Sequence, residues 1–249
     1  MSQTITLLDS LALADLHVFL RRACRIEDGS VRLIAGSGVL AVYVAVLYPA
    51  GLLDKSLIVL GLRTFVLTNP DAFDSVVPVS SLLSRLERVQ SAVTDAAAPV
   101  TMSLPAEVHT VTWATSVPPR GGWATLPGTS SALLESVARA GIDEIAAAIP
   151  AGTGGQIVHR VRSEVWGREI DGLEHVPAGA GFAAFSLGFL GAADFAADST
   201  ADTATDAATD AATDAATDAV AIYETGPWTR LTTKRGHVLV KRRAWTLAR

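Results

Sequence analysis

Residues 31–68 read VRLIAGSGVLAVYVAVLYPAGLLDKSLIVLGLRTFVLT, a run dense in β-branched and aliphatic residues and punctuated by Gly and Pro. The spacing predicts two strands, 31–35 and 39–48, joined as a hairpin at Gly36-Ser37-Gly38. A third strand, 56–68, bends at Gly61, and together they form the central sheet. The 21 uncharged residues between Arg32 and Asp54 are long enough to cross a bilayer as a helix. Gly36, Gly38, Pro49 and Gly51 interrupt that run, and Val39, Val42, Val44, Val46, Tyr43 and Tyr48 favour a pleated strand. The expectation is a chain without a membrane span.

Outward from this sheet, residues 9–25 have the periodicity of an amphipathic helix. Ser10 is placed to cap it, Leu11, Leu13, Leu16, Phe19 and Leu20 form its apolar face, and Arg21, Arg22 and Arg25 load its end. Asn69-Pro70-Asp71 ends the third strand, and a helix over 79–93 turns Leu82, Leu83, Leu86 and Val89 inward. Strands are expected at 100–104 and 108–115, then a tight loop at Pro118-Pro119-Arg120-Gly121-Gly122-Trp123. After Gly128 the pattern becomes helical: 129–140, broken by Gly141, then 142–149, 156–166 and 181–190. The chain closes with a predicted hairpin, 228–232 and 238–242, turning at Lys234-Arg235-Gly236. The expected fold is α+β in two domains. Residues 1–128 form a mostly antiparallel sheet with flanking helices, and residues 129–249 a helical, winged-helix-like unit ending in a basic β-hairpin.

Charge is unevenly placed. The chain carries a net charge of −5, yet 198–218, where Thr-Asp-Ala-Ala recurs, hold six aspartates and no basic residue. A four-residue period advances about 400° on a helix, so these aspartates spiral around it and leave no apolar face. The segment is expected to be a disordered or fraying insert. The last 24 residues hold seven basic residues and no acidic one. The single cysteine, Cys24, excludes an internal disulfide, and MSQTITLLDS has no basic region leading into an apolar run. A cytoplasmic chain is the expectation.

The sharpest local feature is Arg120, held in a rigid loop between Trp113 and Trp123. It is placed either to present a guanidinium to a carboxylate or phosphate ligand, or to form a structural corner with both indoles packed away. Gly152-Thr153-Gly154-Gly155 opens a helix but lacks the spacing and lysine of a P-loop. No Gly-x-Ser-x-Gly elbow, HExxH or Cys/His cluster of zinc spacing occurs, so no catalytic residue, metal ligand or cofactor is assigned. In the C-terminal hairpin, Arg230, Lys234, Arg235, Lys241, Arg242 and Arg243 are the candidate nucleic-acid contacts of a wing, beside helices carrying Arg160, Arg162 and Arg168. The acidic insert would compete for the same cations.

With WATSVPPRGGW (113–123), Val165-Trp166-Gly167, Leu187-Gly188-Phe189-Leu190 and GPWTRLTTKRGHVLV (226–240) in view, the chain resembles a family of actinobacterial two-domain proteins built from domains of unknown function. That resemblance implies two domains and an intracellular setting, and it supplies no catalytic residues. The expected role is non-enzymatic binding or scaffolding with a protein partner. The alternatives are a nucleic-acid-binding regulator and an enzyme of unknown class.

Overall fold

A computed structural model describes residues 3–51, 54, 56–150, 152–191 and 219–242. The Asp/Thr/Ala repeat and Arg243 lie outside them. In chain order the elements begin with β1 (Thr4–Leu7), α1 (Ser10–Ile26), β2 (Ser30–Gly36), β3 (Val39–Leu47), β4 (Ile58–Val66), β5 (Phe73–Pro78) and α2 (Val79–Ala92). Next come β6 (Val100–Ser103), β7 (Ala124–Ser130), α3 (Ser131–Ala148), α4 (Gly155–Gly167), β8 (Glu169–Ile170), β9 (Leu173–Pro177) and α5 (Ala178–Ser186). The chain closes with β10 (Ala219–Thr225), β11 (Trp228–Thr232) and β12 (His237–Lys241). The fold is α+β, with a large antiparallel sheet.

Among the described residues eight strands make that sheet, in the order β5-β2-β3-β4-β12-β11-β10-β7, every neighbouring pair antiparallel. The join between the two halves of the chain is the β4–β12 ladder, where Leu60 faces Leu239. The C-terminal half, expected to be helical apart from its last two strands, thus contributes four of the eight strands. β11 and β12 pair with each other but are also bonded to β10 and β4, so they are interior strands. They do not project as a two-stranded wing. The boundary expected at 128/129 falls inside β7.

Strand alternation builds two cores. Val31 and Leu33 on β2, Leu40, Val42 and Val44 on β3, and Val238 and Val240 on β12 point to the helical layer. There they meet Leu13, Leu16, Phe19 and Leu20 of α1, Leu82 and Leu86 of α2, and α5. On the opposite face Leu60, Trp228 and Leu239 bury Trp113 and Ala114 from the irregular segment 104–123, which crosses that side. Arg32 fixes the crossing: its guanidinium grips Asp74 through two bonds of 2.8 and 2.6 Å and donates to the Ala114 carbonyl. The strand expected over 108–115 is therefore absent. Val108 makes one backbone bond, to Val76, and Trp113 turns inward in a 3-10 turn.

Two helix details differ from expectation. Asp9, not Ser10, caps α1, its carboxylate accepting from Ala12 N at 2.7 Å, and Leu11 is 75% exposed. Gly141 does not break α3, which runs unbroken from its Ser130 cap. Its missing side chain is the space that the Trp166 ring occupies, since a Cβ there would lie 2.6 Å from Trp166 Cη2. Among the described residues no helix is long and apolar enough to cross a membrane.

Candidate functional site

An open cleft of about 1450 Å³ lies between the end of β3, with Tyr48, Asp54 and Ser56 beyond it, and α4 with the β9 strand behind it. At its centre Asp54 gathers four hydrogen bonds. Ala50 N and Ser56 N donate to it at 2.7 and 2.9 Å, Ser56 Oγ donates at 2.5 Å, and His159 Nε2 lies 2.6 Å away. Burial raises the Asp54 carboxyl, but the bonds from Ser56, Ala50 and His159 outweigh it and hold the group well below the usual carboxylate range. The Tyr48 hydroxyl on the same wall donates to Glu27, and burial with that bond pushes it up to about 12.

Ser163 completes the cluster one turn along α4, 3.5 Å from His159 Nε2 and 2.6 Å from Ser56 Oγ. Serine, histidine and aspartate thus meet without forming a relay. A relay needs the carboxylate on one ring nitrogen and the nucleophile on the other. Here Asp54 and Ser163 both address Nε2, the proton of which is committed to the carboxylate. Ser56 donates to Asp54, so the proton in the Ser56–Ser163 contact comes from Ser163. The arrangement ties Asp54 and Ser56 of the N-terminal half to α4 of the C-terminal half. Cys24 is no activated nucleophile either, because burial and the neighbouring Asp28 both push its thiol up. Among the described residues no group of three His, Cys, Asp or Glu side chains is close enough to hold a metal ion.

The residues singled out from sequence are sorted differently in space. Trp113 is 4% exposed in the second core, and Trp123 donates its indole N–H to the Pro119 carbonyl at 3.1 Å. Arg120 is exposed, and its charge acts on Tyr43, which packs in the same cluster as both indoles. The guanidinium that meets an indole is that of Arg230, 4.5 Å from the Trp123 ring and 4.6 Å from the ring of Tyr223, its cross-strand partner. Lys241 lies over Trp228 at 5.8 Å, and Arg242 pairs with Glu224 at 3.3 Å while its side chain lines the cleft. Among the described residues of the candidate nucleic-acid contacts, Lys234 and Arg235, in the β11–β12 turn, are the exposed ones. Sequence reasoning missed the Asp54–His159 cluster, because its halves carry no shared motif.

No curated protein matches the chain. Among solved structures, a DNA polymerase sliding clamp from Caulobacter crescentus aligns over 99% of this chain and 67% of its own, at 12% identity and a TM-score of 0.46. A second, Caulobacter crescentus pol III beta, aligns over 97% and 66% at 10% identity with the same TM-score. The chain spans about two thirds of the length of these two proteins. Residues 1–106 match a domain of unknown function, DUF8010. Residues 118–245, over half of the chain, match a second such domain, and the protein therefore belongs to the DUF8185 family.

Proposed function

We propose that this protein is a non-enzymatic cytoplasmic binding module that takes a protein partner in the cleft between the end of β3 and α4. The observation that carries this reading is the mixed charge of the walls. Glu27, Asp54 and Glu164 face the same space as Arg160, Arg162 and Arg242. A polypeptide presents both signs, whereas a nucleic-acid backbone selects a surface of one sign. The cleft also exceeds the roughly 300–1,000 Å³ of a typical small-molecule site. Ser163, His159 and Asp54, locked as they are, support a structural joint over hydrolysis.

A nucleic-acid role through a winged-helix-like C-terminal unit has less support. Arg230, Lys241 and Arg242 are engaged by aromatic rings or by Glu224. That leaves Lys234 and Arg235 as the exposed cations of β11, β12 and their turn among the described residues.

Photo-crosslinking residues placed at Gln156 and Arg160, in cells that natively make the protein, test the cleft. The expected result is one common polypeptide adduct from both positions, absent from a probe at exposed Thr64, and a complex that survives about 0.5 M salt. Adducts that are nucleic acid, or that form equally from Thr64, overturn the reading.

A further inference from the structure

A second cavity, of about 680 Å³, lies on the helical layer between α1 and the α3–α4–α5 group. Its floor is aromatic: Trp166 stacks on Phe182 with ring centroids 4.4 Å apart and planes 15° from parallel, beside Phe185. Its walls include Ile26 and Ile145, and at its rim Val18 and Ile142 remain 44% and 36% exposed. Four arginines enclose it, Arg21, Arg22 and Arg25 from α1 and Arg162 from α4, and among the described residues no acidic one lines it.

Cations near the C-terminus of α1 complement its dipole, which accounts for Arg25. It does not account for Arg162, which reaches the same space from the middle of another helix. Among the described residues Arg21, Arg25 and Arg162 have neither a hydrogen bond nor an ion pair. Arg22 is built into place: its guanidinium occupies the space a Cβ at Gly188 would fill, and Nη1 donates to the Leu187 carbonyl at 3.4 Å. Gly188 has φ +74°, a conformation that itself favours glycine.

Four guanidiniums without an acidic partner among the described residues, set over an apolar floor, call for a ligand with concentrated negative charge and an apolar body. A carboxylate offers one charge. A phosphate monoester offers about −1.5 to −2 and three acceptor oxygens, which suits several arginine forks at once. We propose that this cavity binds a soluble amphipathic phosphate monoester, its phosphate held by Arg21, Arg22, Arg25 and Arg162 and its apolar body laid on Trp166, Phe182 and Phe185. The site is separate from the proposed protein-binding cleft, and only Arg162 borders both. Arg162 is accordingly left out of the test.

Isothermal titration of the full chain with decyl phosphate, kept below its self-association concentration, tests the assignment beside inorganic phosphate, decanol and anionic lipid vesicles. Saturable binding of one decyl phosphate per chain is expected, at least about tenfold tighter than either fragment. Arg21→Ala and Arg25→Ala, both at exposed positions, should each weaken it by about tenfold. Ala146→Trp, at the exposed rim, should block the apolar body, and Thr64→Ala should change nothing. Circular dichroism melts verify that each variant folds. Binding no tighter than inorganic phosphate, binding indifferent to Arg21 and Arg25, or attachment to vesicles without uptake of the monomer would each overturn the proposal.

Discussion

Asp54 and His159 stand 105 residues apart in sequence and 2.6 Å apart in space. One belongs to the N-terminal half and the other to the C-terminal half, so their contact is a further tie beside the β4–β12 ladder and the shared core. A double-mutant cycle with Asp54→Asn and His159→Gln should return a coupling of about 0.5–3 kcal/mol in urea unfolding. Asp54→Asn alone is expected to cost more than His159→Gln, because Ala50 N and both Ser56 donors also rely on the carboxylate. Additive single effects would mean that the two side chains touch without supporting each other.

The same carboxylate sets an acid limit. Its folded pKa is depressed, so the unfolded chain takes up the proton first as pH falls. The stability it contributes is complete above the ordinary aspartate value of about 3.9 and is lost below it, toward the folded value. Acid titration of stability should therefore be shallower in Asp54→Asn than in the native chain, and identical slopes would exclude Asp54 as a source.

His237 predicts a second window nearer neutrality. Burial first, and the charge of Arg230 second, push its imidazole below the ordinary value. Between that folded value and about 6.5 the unfolded chain binds a proton that the folded chain refuses. Stability is therefore full above about pH 6.5 and falls as pH drops from there toward the folded value. Melting temperatures at about pH 7.5 and about pH 5.5 should differ in the native chain and differ less in His237→Gln. Arg230→Met, which removes the second cause, should narrow the window. A loss undiminished in His237→Gln would assign the window to another group.

Gly141→Ala tests the helix junction beside the arginine-lined cavity. In an isolated helix the change would favour folding by about 1 kcal/mol. Here the new methyl meets the rigid Trp166 ring, and overpacking of this kind costs about 1–3 kcal/mol. A net destabilisation is expected in urea unfolding, partly relieved when Trp166→Phe is added. Stabilisation by Gly141→Ala would show that Trp166 yields freely.

Much of the architecture follows from local pattern. The alternation of Val31, Leu33, Leu40, Val42 and Val44 places β2 and β3 on the sheet, and the heptad-like spacing of Leu13, Leu16 and Leu20 places α1, because each period can bury only one face. β7 escapes that logic. ATLPGTS carries Pro127 and Gly128, which argue against a central strand, and the structure uses it at the sheet edge, where a missing N–H is tolerated. Leu11 escapes it too, since periodicity cannot say how wide a face the neighbours cover.

The groupings of polar side chains were decided by tertiary structure alone. Trp113, Arg120 and Trp123 are close in sequence, yet the indole of Trp123 meets Arg230, because β11 and β10 bring Arg230 opposite Tyr223 beneath it. Arg21 and Arg25 read as dipole complements until α4 sets Arg162 across from them. Sequence periodicity determined which residues turn inward. Which polar groups face one another depended on long-range strand order and helix packing, and short-range spacing carries no record of either.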